Sequence, residues 1–109
     1  MTIEAQYDQF ISILNQTMKN VDPNLLVKMM YLERKLPDTP PKVELNIHYK
    51  PNVDSERKKE ILRNRFGFPN QTNDHGINVV GKMDTSIVEQ FSQDPDVEYI
   101  TGIATPSSY

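Results

Sequence analysis

The run Leu36-Pro-Asp-Thr-Pro-Pro41 divides this chain more sharply than any other stretch, because neither a helix nor a sheet interior accepts prolines so closely spaced. The apolar period changes across it. Before it, Ile3, Tyr7, Phe10, Ile11, Leu14 and Met18 recur at spacings of three and four, which predicts a helix over residues 2–19 with Thr2 at its cap and Glu4 in its first turn. Asp22-Pro23 is a second helix start, and Leu25, Leu26, Met29, Met30 and Leu36 carry that pattern up to Pro37.

After the break the period falls to two. Val43, Leu45, Ile47 and Tyr49 alternate with Glu44, Asn46, His48 and Lys50, the signature of a half-buried strand. Asp54 or Ser55 caps a helix containing Ile61, Leu62 and Phe66, and Gly67 follows where a left-handed residue closes a helix. Residues 68–72 read as a short strand, Asn73 to Gly76 as a polar turn, and Ile77, Val79, Gly81 and Met83 as another strand. Asp84 caps a helix with Ile87, Val88 and Phe91, which Asp94-Pro95 ends, and residues 97–103 form the last strand. The order from Val43 onward predicts an α+β fold: a ferredoxin-like βαββαβ antiparallel sheet with two helices on one face, preceded by an N-terminal helical extension. The divisions expected are residues 1–42 for the extension and proline-rich linker, 43–103 for the ferredoxin-like domain, and 104–109 for a polar tail. The uncovered sheet face is the expected docking surface.

Composition narrows the function classes. A chain of 109 residues with a formal charge of -3 lacks the positive field that a nucleic-acid surface needs. It has no cysteine, hence no disulfide, no thiolate nucleophile and no cysteine zinc site. No apolar run has the length of a membrane span, and no signal peptide is visible after Met1. Neither a membrane nor a nucleic-acid partner is expected.

The reactive side chains point to no chemistry. His48 and His75 are the two histidines, and neither stands in a recognisable nucleophile motif, so no catalytic residue is assigned. Asp94, Asp96 and Glu98 alternate, but a calcium loop also needs converging oxygens and a tight glycine turn. A helix stop and a solvated strand explain them, and no metal or cofactor is expected. Arg57, Lys58, Lys59, Arg63 and Arg65 make one helix locally basic. RNA-recognition modules of the same fold stack bases on exposed aromatics of the central strands. Here those faces carry Glu44, Asn46 and His48, then Asn78, Val80 and Lys82, so a solvated helix face is the reading adopted. Asn15-Gln-Thr17 and Asn70-Gln-Thr72 match the glycosylation sequon; the first falls inside the amphipathic helix and the second in a turn.

The segment Met83-Asp-Thr-Ser-Ile-Val-Glu-Gln-Phe-Ser-Gln-Asp-Pro-Asp-Val-Glu-Tyr-Ile100 is similar to the most recognisable stretch of subtilisin propeptides, the inhibitor family I9. The places of that pattern are held by Met83, Asp84, Val88, Phe91, Asp94-Pro95 and Val97-Glu-Tyr-Ile100. Upstream, Asp22-Pro-Asn-Leu-Leu26 and Lys42-Val-Glu-Leu-Asn-Ile-His-Tyr-Lys50 resemble the opening of longer propeptides of the family, while residues 1–20 look like an extension of the minimal module. In the family, acidic residues after the fourth strand cap two helices of the enzyme; Thr101 and Gly102 stand there instead, leaving Asp96 or Glu98 to substitute.

The resemblance implies an inhibitor and intramolecular chaperone of a cognate subtilisin-like serine protease, acting in cis or as a stand-alone inhibitor, secreted, and monomeric when free. Its tail, Thr105, Pro106, Ser107, Ser108 and Tyr109, would occupy the substrate cleft, with Tyr109 in the primary pocket. Glu44, Asn46, His48, Asn78, Val80, Lys82 and Glu98 would face the enzyme from the sheet. Two other readings of the residues stay open: a small-molecule-binding regulatory domain of the same fold, and a dimeric interaction module joined through residues 3–18.

Overall fold

The proline break stands between a helix and the first strand, as the change of period requires. The computed structural model describes residues 5–6, 9, 18–73 and 76–106. Its elements run α1 (Pro23–Lys35), β1 (Lys42–Tyr49), α2 (Ser55–Phe66), β2 (Asn70–Thr72), β3 (Gly76–Lys82), α3 (Thr85–Ser92) and β4 (Val97–Thr105). The helix read over residues 2–19 lies almost wholly outside the described residues.

An aspartate opens each helix. Asp22 accepts from the amide of Asn24, Asp54 from those of Glu56 and Arg57, and Asp84 from that of Ile87, so each cap satisfies amides that a first turn leaves unpaired. Gly67 closes α2 at φ 72°, and the turn after β1 places Asn52 at φ 69°, where asparagine is the side chain that best tolerates a left-handed backbone.

The sheet has four antiparallel strands in the order β2-β3-β1-β4. β1 is central, pairing β3 from Lys42↔Lys82 to His48↔Gly76 and β4 from Lys42↔Thr105 to Tyr49↔Val97. Its inward residues Val43, Leu45 and Ile47 are buried together with Ile77 and Val79 of β3 and Ile100 and Ala104 of β4. All three helices contribute to that same cluster. A side chain at Gly81, opposite Val43, would meet the Phe68 ring at 2.5 Å; the ring covers the space a larger residue would fill.

The expected boundary at residue 42 cuts through the core. Val21, Leu25, Leu26, Met29 and Leu32 are at most 3% exposed and belong to the same cluster as β1. Backbone bonds fasten this segment to the outer edge of β4: the Asp22 amide donates to the Ile100 carbonyl (2.9 Å) and the Ile100 amide to the Asn20 carbonyl (2.7 Å). A strand edge left open is a template for unwanted pairing, and residues 20–22 cover this one at its middle. Among the described residues, the layer on the buried face therefore holds three helices where two were expected.

Truncating a fully buried α1 side chain should be costly in proportion. Leu26→Ala and Met29→Ala are each expected to lower stability by about 2–5 kcal/mol in urea titrations. Tyr31→Ala, on the exposed side of α1, should stay within about 0.5 kcal/mol. Equal effects at the three positions would place α1 outside the core.

Candidate functional site

The face of the sheet turned away from the helices is the candidate site, and register defines it. Reading across β4, β1 and β3, its rows are Thr105–Lys42–Lys82, Ile103–Glu44–Val80, Thr101–Asn46–Asn78 and Tyr99–His48–Gly76. The expected docking residues Glu44, Asn46, His48, Asn78, Val80 and Lys82 are thus brought onto one surface. Its centre is polar and internally bonded. The Asn78 side-chain amide donates to Asn46 Oδ1 (3.0 Å) and to Glu44 Oε1 (3.2 Å), fixing three side chains in one orientation.

Two apolar residues on this face escaped the sequence reading. Ile103 is 66% exposed and Tyr99 38%, both on β4. Strict alternation from a buried Val97 would turn Tyr99 inward and Ile100 outward. The register instead shifts between His48 and Tyr49, opposite Val97 and Tyr99, so that Glu98 is the extra residue of a bulge. Beyond it, Ile100, Gly102 and Ala104 face the core, and Tyr99, Thr101 and Ile103 face solvent. The signal was present: Val97 and Ile100, both apolar anchors, lie an odd number of residues apart, which a regular strand cannot bury on one face. Glu98 is exposed at the bulge beside His48 and Tyr99, where the three line a shallow depression with Tyr49.

Of the expected tail, Thr105 ends β4, and its hydroxyl donates to the Lys42 carbonyl (3.5 Å). Pro106 follows, exposed. Ser107, Ser108 and Tyr109 lie outside the described residues, as does His75. Asn70 of the second sequon is a strand residue, not a turn residue. Its amide donates to the Phe68 carbonyl (3.3 Å) and its oxygen is buried, so the nitrogen a glycan would need is turned inward.

A second polar constellation sits at the start of β4. Lys58 Nζ of α2 lies 2.8 Å from Asp94 Oδ2 and 2.8 Å from Asp96 Oδ2, tying α2 to the turn that enters β4. Burial works to lower the Lys58 pKa, but the hydrogen bonds to both carboxylates outweigh it and hold the ammonium above the ordinary lysine value. Asp96 is held below the usual carboxylate range, first by its bond to Lys58 and further by Lys50 and Arg57. Tyr49, packed beneath, is pushed up to about 12 by burial and then by the Asp94 charge. Sequence reading treated Asp94 and Asp96 as a helix stop and a solvated strand; they are also the anchor of α2.

Among the described residues, no group of three or more His, Cys, Asp or Glu could hold a metal ion, and no helix is long and apolar enough to cross a membrane. In comparisons with family models, curated proteins and solved structures, nothing matches this chain.

The Lys58 anchor should report itself in the pH dependence of stability. A carboxyl whose folded pKa is depressed contributes stability above its unfolded pKa and loses it as pH falls through the folded one. The deficit of Lys58→Met relative to the parent should therefore be largest near neutral pH and close as pH is lowered through the carboxylate range. Thermal melts across that range check it; a deficit that persists in acid would assign Lys58 a packing role. At the alkaline end the Tyr49 shift has the opposite sign. The unfolded chain releases that proton near 10 and the folded one near 12, so parent stability should fall across this interval.

Proposed function

We propose that this chain is a protein-binding module that inhibits a subtilisin-like serine protease and assists that enzyme's folding, as the propeptides it resembles do. On this reading the βαββαβ element order and the β2-β3-β1-β4 strand order make the module ferredoxin-like, with α1 as an addition to its helical layer. The observation that carries the proposal is the open sheet face. It is bonded at its polar centre and flanked by the exposed Tyr99 and Ile103, while the strand bearing those two residues leads in sequence to the tail.

The enzyme's surface would cover Tyr99, Ile103 and Val80, with Glu44, Asn46, His48, Asn78, Lys82 and Glu98 around them. Residues 105–109 would lie in the substrate cleft as an added strand, with Tyr109 in the primary pocket. The module supplies no catalytic group in this scheme, acts as a monomer, and meets its enzyme in the secretory route or outside the cell. A ligand that binds the folded enzyme but not the unfolded one shifts the enzyme toward its native form, which links inhibition to chaperoning.

Progress curves of peptide hydrolysis by a panel of subtilisin-type proteases provide the test. Inhibition at micromolar chain is expected, and its absence across the panel would remove the proposal. Burying a large apolar side chain contributes about 1.5–3 kcal/mol, so Ile103→Asp should weaken inhibition by roughly tenfold to a hundredfold. Ile103 is mostly exposed in the free module, so its melt should not move. Tyr109→Ala should cost about as much as Ile103→Asp, whereas Tyr109→Phe, which keeps the ring area, should cost little. An Ile103→Asp variant that inhibits like the parent would show that the sheet face is not the docking surface.

A further inference from the structure

At one end of the open sheet face two exposed lysines stand directly opposite each other. Lys82 of β3 pairs with Lys42 of β1, and Thr105, the last residue of β4, completes the row. One residue further out, the Met83 amide donates to the Pro41 carbonyl (3.1 Å). That bonded position, by the alternation of an antiparallel ladder, makes Lys42–Lys82 a pair of the narrow, unbonded kind. Cα atoms in such a pair lie about 4.5 Å apart, which brings the side chains as close as a ladder allows. Like charges placed there destabilise a sheet.

The common use of lysine on a strand accounts for half of this pair. Lysine guards an open sheet edge, and Lys82 lies on β3 beyond the residues that β2 covers. Lys42 is paired on both sides and has no edge to guard. No acid neutralises the two. Among the described residues the ion pairs are those of Lys58, and neither Lys42 nor Lys82 forms one. Glu44 stands in the next row, yet its Oε1 accepts from the Asn78 amide (3.2 Å), which belongs to the row on its far side and draws it away from the lysines. Asp84, two residues past Lys82, is committed to the cap of α3, accepting from Ser86 Oγ and from the Ile87 amide.

We infer that the Lys42–Lys82 row is an anion subsite of the docking face, and that its occupant is a carboxylate of the protein partner. The inference rests on the inhibitor reading and deepens it. The row includes Thr105, where the chain leaves the sheet for the tail, so the acid would stand on the enzyme at the rim of its substrate cleft. A carboxylate there relieves a repulsion that the free module carries. Glu98 is exposed at the bulge, toward the other end of β4, which gives the face a direction: positive beside the tail, negative away from it. An enzyme with the reverse arrangement is steered into the productive orientation, and one with a basic cleft rim is repelled. The other cationic stretch, α2, interleaves Glu56 and Glu60 with its Arg and Lys residues and lies on the opposite side of the sheet.

The test measures inhibition by the full chain across the protease panel, in low and in high salt. Lys82→Glu should weaken low-salt inhibition by roughly tenfold, mainly through slower association, and should flatten the salt dependence that the parent shows. Its melting temperature should match or exceed the parent's, because the substitution sets an acid opposite Lys42. Lys82→Gln should weaken inhibition less, and serves if Lys82→Glu fails to fold. Arg63→Glu, on the exposed side of α2, should inhibit like the parent. Enzymes with an acidic cleft rim should be inhibited best, and changing that acid to lysine should weaken the parent while restoring Lys82→Glu. Sensitivity to Ile103→Asp without any response to Lys82→Glu or Lys82→Gln would overturn the lysine subsite and leave sheet docking intact. So would a Lys82→Glu deficit that is equal at both salt concentrations or comes with a lowered melt. Failure of the parent against the whole panel would overturn both readings together.

Discussion

The register of β1 is the constraint on which the rest depends. It is the one strand paired along its length on both sides, so its phase sets which side chains of β3 and β4 meet the helices. Side chains alternate with a period of two, and a slip of one residue would turn Val43, Leu45 and Ile47 to solvent and Glu44, Asn46 and His48 into the core. Burying a carboxylate and two polar groups without partners costs several kcal/mol, a large share of what a domain of this size has in reserve. The polar face is therefore a specificity device as well as a surface: its residues are tolerable in one register only.

Strand phase also explains how much could be read beforehand. β1 and β3 were legible because their alternation is unbroken, and so were the three helix starts, because aspartate at the cap has one local job and does it wherever the chain turns. β4 was half legible. Its residues were found, but its phase was not, since a bulge opposite His48 and Tyr49 depends on two strands at once and leaves only an odd spacing of apolar anchors in one of them. For that reason Glu98 was assigned to the face and Tyr99 and Ile103 were not. The place of α1 was missed for a related reason. A proline-rich linker looks like a domain boundary in sequence, yet Pro41 is fully buried and its carbonyl accepts from Met83, so the linker is part of the core it seems to end.

β4 is fastened in two different ways, and this divides the labour between the layers. At the entry to β4, charge pins the chain through Lys58, Asp94 and Asp96, and Tyr49 lies beneath. Along the outer edge of β4, backbone bonds from Asn20 and Asp22 do the work. Both fastenings act from the helical side or the strand edge. Neither fastening crosses the open face, where the Asn78 amide bonds Asn46 and Glu44. A partner meeting that face would find Asn78, Asn46 and Glu44 already held in place, and so would meet less of the entropy of fixing those three side chains.

Pre-ordering has a limit that bears on how such a face could work. Covering Tyr99, Ile103 and Val80 supplies at most about 3 kcal/mol each, and less for Tyr99 and Val80, which are already partly covered. Association itself costs on the order of 4–15 kcal/mol in lost rigid-body freedom, so the patch alone would bind weakly. A second contact on the same rigid element changes that balance, since it no longer meets the full cost of association and benefits from a high local concentration. β4 is that element: it carries Tyr99 and Ile103 in its body and ends at Thr105, where Pro106 cannot extend the ladder as a donor. The strand thus couples the face to whatever the following residues engage. A binding partner would have to present both a surface for the sheet and a groove for an extended chain, at a separation set by the length of β4, which is the geometric demand by which candidate partners can be told apart.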